Sequence, residues 1–429
     1  MTIEIATLLK SIADLEFVEL NNADSYWHKI HQIVARENTA PIYLIFPQTI
    51  EALAEIVKQA APQKWRMLIC GNASKINWGK ITQDIQLVVS TQKCDRLVEH
   101  AVGDLTVTVE AGMKLADLQL KLRSHQQFLP LDSFYGDATL GGIVATADAG
   151  SWRQRYGGVR DLLLGLSFVR ADGEIAKAGG RVVKNVAGYD LMKLFTGAYG
   201  TLGIITQLTF RLYPWITTSQ TILLTGAAPQ IAQATQTIRN SGLTPTAMDL
   251  LSASVVQQLD LGSDMGLIIR WQTIPESIEQ QILQVQAIAQ QLDLATSIYQ
   301  DGLETKLWEN CDQIVSIPQA ETSVTCKIGI APVAAVSFLA QIGDRHILGR
   351  IHASSGLGRL QLHTNYELLE EMRSHCQQHQ GFLSILDAPP TIKQQMDIWG
   401  YSGNALKTMK VIKNQFDPQN ILNPGRFIV

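Results

Sequence analysis

Glycine is the residue type whose spacing in this chain points most directly to chemistry. Residues 136–205 read GDATLGGIVATADAGSWRQRYGGVRDLLLGLSFVRADGEIAKAGGRVVKNVAGYDLMKLFTGAYGTLGII. Gly141-Gly142 leads a run of small residues through Ala147, Gly157-Gly158 follows a basic and aromatic patch, and Gly200 and Gly203 bracket Thr-Leu before Ile204-Ile205. Residues with no Cβ, or with only a methyl group, let the backbone come close to a ligand and aim its N–H groups at it. That composition suits a large planar cofactor carrying a diphosphate. For any one cluster, tight turns in a β-rich domain are the alternative. A second candidate is Gly71-Asn72-Ala73-Ser74-Lys75, which follows the apolar run Met67-Leu68-Ile69-Cys70. A strand running into these residues puts successive N–H groups and a hydroxyl at the carboxyl edge of a sheet, where phosphates are commonly held. Neither GxxxxGK[ST] nor GxGxxG occurs in the chain, so a dinucleotide would be held by neither a P-loop nor a Rossmann turn.

The elements around these segments set a frame. The chain has 429 residues, 46% apolar and 17% charged, with a net charge of −4. That length allows two or three domains and a large core, and the composition is that of an ordinary soluble globular protein. A pI near 6.2 argues against a nucleic-acid binder, which would show a basic stripe. The N-terminal residues carry no basic n-region or small-residue cleavage site, so no signal peptide is expected. No apolar run approaches the roughly 20 residues of a membrane span. Cys70, Cys94, Cys311, Cys326 and Cys376 are scattered without a CxxC. They suit reduced thiols in the cytosol, and they argue against an iron–sulfur cluster or a zinc ribbon in this chain.

Residues 1–37 are expected to form a helical appendage, with Leu8, Ile12 and Leu15 on one face. A strand near residues 41–47, a helix capped by Thr49 and a strand at 67–70 form a β–α–β unit. Strands at 86–90 and 106–110, a helix from 114 to 124, and a hairpin turning at Ala171-Asp172-Gly173 follow. Residues 204–212 close the region as a strand. From Trp215 glycine becomes sparse, and strands at 222–224, 265–271, 323–329 and 359–362 alternate with helices at 229–241, 275–291 and 366–379. The domains read as 38–214, 215–400 and a strap at 401–429.

These residues resemble a known family. GNASKINWG, PLD…GDATLGGIVA, RYGGVRDLLLGL, RADGEI, GGRVVKNVAGYDLMKLFTGAYGTLGIITQLTFRLYP and the terminal FDPQNILNPGRF resemble the FAD-binding domains of the vanillyl-alcohol oxidase / p-cresol methylhydroxylase superfamily. The GGRVVKNVAGYDLMKL block is similar to the smaller FAD-binding subunits of bacterial glycolate oxidase, or glycolate dehydrogenase. The resemblance implies an α+β fold: a two-subdomain PCMH-type FAD-binding domain, then an α+β cap domain with an antiparallel sheet. It implies that Cys70, Gly71, Asn72, Ala73, Ser74 and Lys75 cradle the FAD diphosphate. Pro130, Leu131, Thr139, Gly141, Gly142 and Ala145 would line the flavin and ribityl chain, with Gly150, Tyr156 and Gly157 completing that wall. Gly200, Gly203, Ile204 and Ile205 would give backbone contacts on the adenosine side. Neither 71–79 nor 136–158 holds the histidine or cysteine through which many relatives tether FAD, so non-covalent FAD is expected.

Relatives that oxidise 2-hydroxy acids unaided carry an H-x-G-x-G-x-x-H segment and an E-H-G segment. The first has a partial counterpart in His352-Ala353-Ser354-Ser355-Gly356, with His363 further on; the second is absent. A neutral imidazole can take a hydroxyl proton or bind a metal, so His352 and His363 are the catalytic candidates, a surface or strand-edge histidine being the alternative for each. Lys184, in the block shared with the glycolate subunits, could hold a carboxylate or be an ordinary surface lysine. Arg153, Arg155 and Arg160 could line a carboxylate entrance, meet a partner or form a solvated face. Trp271, Trp308 and Trp399 read as core or interface residues. No metal ligand set is assigned.

Three functions follow from the resemblance. The chain is the FAD-binding subunit of a glycolate dehydrogenase complex, passing electrons to partners; or a self-sufficient flavin-dependent 2-hydroxy acid dehydrogenase; or a non-catalytic flavin-binding, electron-relay or structural subunit. The first is the preferred reading, with a small 2-hydroxy acid as substrate and a sibling FAD subunit and an iron–sulfur subunit as partners. No nucleic acid and no direct membrane insertion are expected. The location is cytoplasmic, any membrane association coming through partner subunits.

Overall fold

The computed structural model describes residues 4–20, 25–35, 41–181, 188–318, 320–343, 345–401 and 403–427. Lys184 and Asn185 lie outside the described residues. The chain divides into two compact units. The first holds Met1–Ala149, Gly157–Trp215 and Ser402–Val429; the second holds Gly150–Tyr156 and Ile216–Tyr401.

The first unit contains the β–α–β unit read from the sequence. Thr49 sits in an extended conformation and its side chain accepts from the Ala52 N–H, starting the helix Ile50–Gln63. A cap of this kind contributes about 1 kcal/mol. Leu53, Ile56, Val57 and Ala60 are its buried face, packed with Tyr43, Ile45, Met67, Leu87 and Val89. Tyr43–Pro47 and Met67–Cys70 both pair in parallel with Leu87–Ser90, which lies between them. The fourth strand is a correction to the expected N-terminal helices. A helix does form at Ile5–Lys10, but Leu15–Glu19 is a strand antiparallel to Tyr43–Pro47. The helical spacing of Leu8, Ile12 and Leu15 continued across a turn, and a vacant sheet edge decided the conformation beyond it.

A second, five-stranded antiparallel sheet runs Ile175–Gly179, Leu163–Val169, Ile204–Arg211, Thr106–Glu110, Leu97–Ala101. Its apolar face carries Val107, Val109, Phe168, Leu208 and Phe210, joined in one core by Leu140, Ile143 and Val144 of the short helix Leu140–Thr146. That helix buries its large residues and leaves Gly142, Ala145 and Thr146 only half-buried.

The C-terminal helix Leu406–Phe416 ends in a strap tied into the first unit. Lys413, buried, donates to the carbonyls of Thr201 and Leu422 and to Asp417 at 2.5 Å. Burial lowers its pKa, opposed by that carboxylate. Met67 N–H donates to the Ile421 carbonyl at 2.7 Å, and Asn423 N–H to the Met67 carbonyl at 2.9 Å.

The second unit is α+β, as expected, with an eight-stranded antiparallel sheet. Its order is Ala295–Gln300, Ser219–Gly226, Met265–Gln272, Ala247–Leu251, Leu348–His352, Leu357–His363, Ser323–Gly329, Phe382–Asp387. Trp271, Trp308 and Trp399 are all buried. Among the described residues no helix is long and apolar enough to cross a membrane.

Candidate functional site

In the first unit, strand Met67–Cys70 ends at a cleft. The neighbouring strand's end fixes the turn that follows: Ser90 Oγ donates to the Gly71 carbonyl at 2.8 Å and Thr91 Oγ1 to the Cys70 carbonyl at 3.4 Å. Ala73 then adopts a left-handed φ of 57°, a conformation that turns consecutive N–H groups toward one side. Among the described residues, the N–H groups of Asn72, Ala73 and Ser74 donate to no protein acceptor. Buried or half-buried N–H groups are seldom left unused, so these three are available to a ligand or to water.

The opposite wall is the helix Leu140–Thr146. Thr139 caps it, its hydroxyl accepting from Gly142 N–H at 3.3 Å. This helix approaches the loop so closely that a Cβ on Gly71 would lie 2.0 Å from Thr139 Oγ1. Tyr199 N–H donates to the Ala145 carbonyl at 2.8 Å, bringing the turn at Tyr199-Gly200 to the helix's end. Both residues have positive φ, 53° and 67°.

The strap completes the cleft. The Asn423 amide bridges two walls: its Oδ1 accepts from Ile69 N–H at 2.7 Å and its Nδ2 donates to the Tyr199 carbonyl at 2.6 Å. Arg426 lies beside it. The cleft so formed encloses about 730 Å³ of space, part of it open to solvent.

Of the residues expected around a cofactor, Cys70 to Lys75, Thr139, Gly141, Gly142, Ala145, Gly200, Gly203 and Ile205 line this cleft. Six others do not. Pro130 and Leu131 are buried, Leu131 within the core of the five-stranded sheet. Ile204 faces the other core of the unit. Gly157 has a φ of 81° and starts a turn in which Gly158 N–H donates to Asp161 at 2.8 Å. Gly150 and Tyr156 group with the second unit. The lining also holds Ile69, Ile76, Thr91, Thr146, Tyr199, Asn423 and Arg426. The terminal NPGRF motif signalled the last two without indicating where they lie.

The charges in the cleft are few. Lys75 is buried and pairs with buried Asp148 at 3.3 Å, which also accepts from Ser133 Oγ at 2.7 Å. The Lys75 ammonium lies 5.5 Å from the Tyr135 ring centre and 6.0 Å from that of Trp78. Burial pushes the Cys70 thiol up to about 12, so it is a neutral wall residue rather than a nucleophile at neutral pH.

The histidine candidates belong to the second unit. His352 and His363 sit on adjacent strands, but the register pairs Ile351 with Gly358 and Leu348 with Gln361, so the two lie at opposite ends of the hairpin. His363 is exposed. His352 is buried, its Nδ1 2.7 Å from Asp249 Oδ1 on the neighbouring strand. Asp249 Oδ2 also accepts from Arg350 Nε at 2.7 Å and from Ser151 Oγ at 2.5 Å. Arg350 reaches Asp312 and Ser151 as well, with its guanidinium 5.1 Å from the Trp308 ring centre. Burial raises the Asp249 carboxyl, but the facing charges of His352 and Arg350 outweigh it and hold it below the usual carboxylate range. An ionised carboxylate only accepts, so Nδ1 of His352 carries the proton and Nε2 is the nitrogen left for other work. Arg155 and Arg160 are exposed.

Residues 41–179 match the family described as FAD binding domain, and residues 398–427 match the FAD linked oxidases, C-terminal domain. Glycolate oxidase subunit GlcD of Bacillus subtilis is 25% identical over 422 residues, covering 90% of this chain and 88% of that protein. Glycolate oxidase subunit GlcE of Escherichia coli is 38% identical over 167 residues, covering 38% of this chain and 47% of that protein. The fold is similar to that of p-cresol methylhydroxylase, with a TM-score of 0.70 at 14% identity over 90% of this chain and 88% of that one.

Proposed function

We propose, from the premise that this chain belongs to the FAD-linked oxidases and takes FAD as its cofactor, that it oxidises a 2-hydroxy acid, glycolate to glyoxylate, as one subunit of a glycolate dehydrogenase. One observation carries the reading: most of the cleft's lining lies in the segments that match the FAD binding domain and the C-terminal domain of FAD linked oxidases, the loop 70–75 and helix 140–146 in the first, and Asn423 and Arg426 in the second. The lining fits the cofactor. Small residues leave room for a planar ring, and the unused N–H groups of Asn72, Ala73 and Ser74 suit a diphosphate. The neutral thiol of Cys70 supports non-covalent attachment. Bound FAD supplies the two-electron acceptor that the protein's own groups lack. His352 Nε2 takes the substrate's hydroxyl proton, with Asp249 fixing the ring's tautomer and orientation. Electrons leave through a sibling FAD subunit and an iron–sulfur subunit, and the assembly works in the cytoplasm.

A second reading, a flavin-binding relay subunit without its own chemistry, is favoured by one observation: Arg350, beside His352, already faces two carboxylates, Asp249 and Asp312, so its charge is balanced before any substrate carboxylate arrives. An anaerobic absorbance spectrum of the purified chain before and after adding glycolate separates the two. Bleaching of the oxidised-flavin band that is lost in His352→Ala is the expected result. A bound flavin whose band glycolate leaves unchanged assigns the chain to the relay role.

A further inference from the structure

Arg426 is 4% exposed and lines the cleft. Its guanidinium donates to the carbonyl oxygens of Ile76, Trp78 and Lys80, and it forms no ion pair with an Asp or Glu among the described residues. Three other buried cations among the described residues differ: Lys75 faces Asp148, Arg350 faces Asp249 and Lys413 faces Asp417. Burial pushes the Arg426 pKa down to about 10, opposed by Tyr199 and Cys70 rather than by a carboxylate. The side chain therefore stays charged at neutral pH. A buried charge is costly unless a counter-charge balances it, and carbonyl dipoles offset only part of that cost. Here the charge sits on the wall of a cleft whose loop also presents the three unused N–H groups. Both therefore offer positive potential to an anion that enters this cleft.

We propose that Arg426 is the counter-cation of the FAD diphosphate, which makes the C-terminal strap part of the cofactor site rather than only a tie across the first unit. Lys75, already neutralised by Asp148, supplies position and polarity but little net charge. The inference rests on the reading of the cleft as an FAD site, and its test separates the two. The cofactor-free full chain is titrated with FAD by flavin fluorescence, with inorganic pyrophosphate as competitor, for wild type, Arg426→Met and Arg426→Lys. Wild type is expected to bind FAD and to release it to pyrophosphate. Arg426→Met should bind FAD roughly 10- to 100-fold more weakly, the equivalent of a lost charge-assisted contact, and Arg426→Lys should recover most of that loss. Equal binding by all three chains overturns the proposal. So does an equal loss in both variants, because a purely structural arginine is not rescued by a lysine that cannot span three carbonyls. Wild type that binds no FAD sinks the cofactor reading instead. Thermal melting of the cofactor-free wild type with pyrophosphate then decides the anion site alone, as it does if Arg426→Met fails to fold. A raised melting temperature supports Arg426 as the anion's partner, and an unchanged one overturns it.

Discussion

Replacing Asp249 with alanine should destabilise the second unit by about 3–5 kcal/mol, the cost of removing one partner from a buried ion pair. Asp249 takes hydrogen bonds from three groups, Ser151, Arg350 and His352, and is fully buried. Without it Arg350 keeps only Asp312 as a carboxylate partner, and burial raises that carboxyl's pKa against the pull of Arg350. The segment Gly150–Tyr156 loses one of the two hydrogen bonds at Ser151, keeping the one from Arg350. Urea unfolding followed by tryptophan emission reads this directly, since Trp271 and Trp308 are buried in the same unit. A loss under about 1 kcal/mol, the range of an exposed pair, would show that the network does not depend on Asp249 in this way. The pH dependence has a definite sign. The folded pKa of Asp249 lies below its unfolded value, about 3.9. Its contribution is therefore present above that pH and is lost as pH falls through the folded value. Wild type and Asp249→Ala should differ most from pH 4 to neutrality and converge in stronger acid.

Substituting alanine for Gly71 should empty the cleft of flavin while leaving the chain folded. The added Cβ would lie 2.0 Å from Thr139 Oγ1, 2.8 Å from its Cγ2 and 2.9 Å from its Cβ, so a rotamer change alone does not relieve the clash. Thr139 also caps the helix Leu140–Thr146, and moving it shifts Gly142 and Ala145 on the opposite wall. Overpacking of this kind costs about 1–3 kcal/mol. Placed on the cofactor site, it corresponds to a loss of roughly 5- to 150-fold in FAD affinity. Gly103→Ala is the matched control, because nothing lies within 4 Å of its added Cβ. Equal flavin content in the two purified variants would contradict the close approach of loop and helix that defines the cleft.

Much of the cofactor cleft was legible because its signals are local. The glycines and the loop after Cys70 each announce a backbone need within a few residues; the helix that Thr139 caps was not read. Gly157 showed the limit of such signals: its glycine serves a turn closed by Asp161, which composition alone does not separate from a cleft wall. The place of Asn423 in the cleft was not legible from its motif, because it acts on Ile69 and Tyr199, 354 and 224 residues away in sequence. The pairing of His352 with Asp249 was hidden for the same reason, being a cross-strand contact between residues 103 apart. The cap sheet was read only in part. Ala247–Leu251, Leu348–His352 and Phe382–Asp387 lie inside the sheet or are largely buried, and short apolar runs of that kind show no alternation to separate strand from helix. Ala295–Gln300, almost wholly exposed at the sheet edge, shows none either. At the N-terminus the error ran the other way, a helical spacing carried past the helix end at Lys10 and the turn that follows, in which Asp14 has a φ of 54° just before the strand begins.

The central claim is that the cleft holds FAD without a covalent bond, and acid precipitation of the purified full chain tests it most directly. The visible spectrum of the supernatant should show oxidised flavin in an amount equimolar with the protein, identified as FAD by chromatography, above a colourless pellet. Flavin retained in the pellet would contradict the non-covalent site. A chain that stays colourless after incubation with FAD would contradict the assignment of the cleft itself.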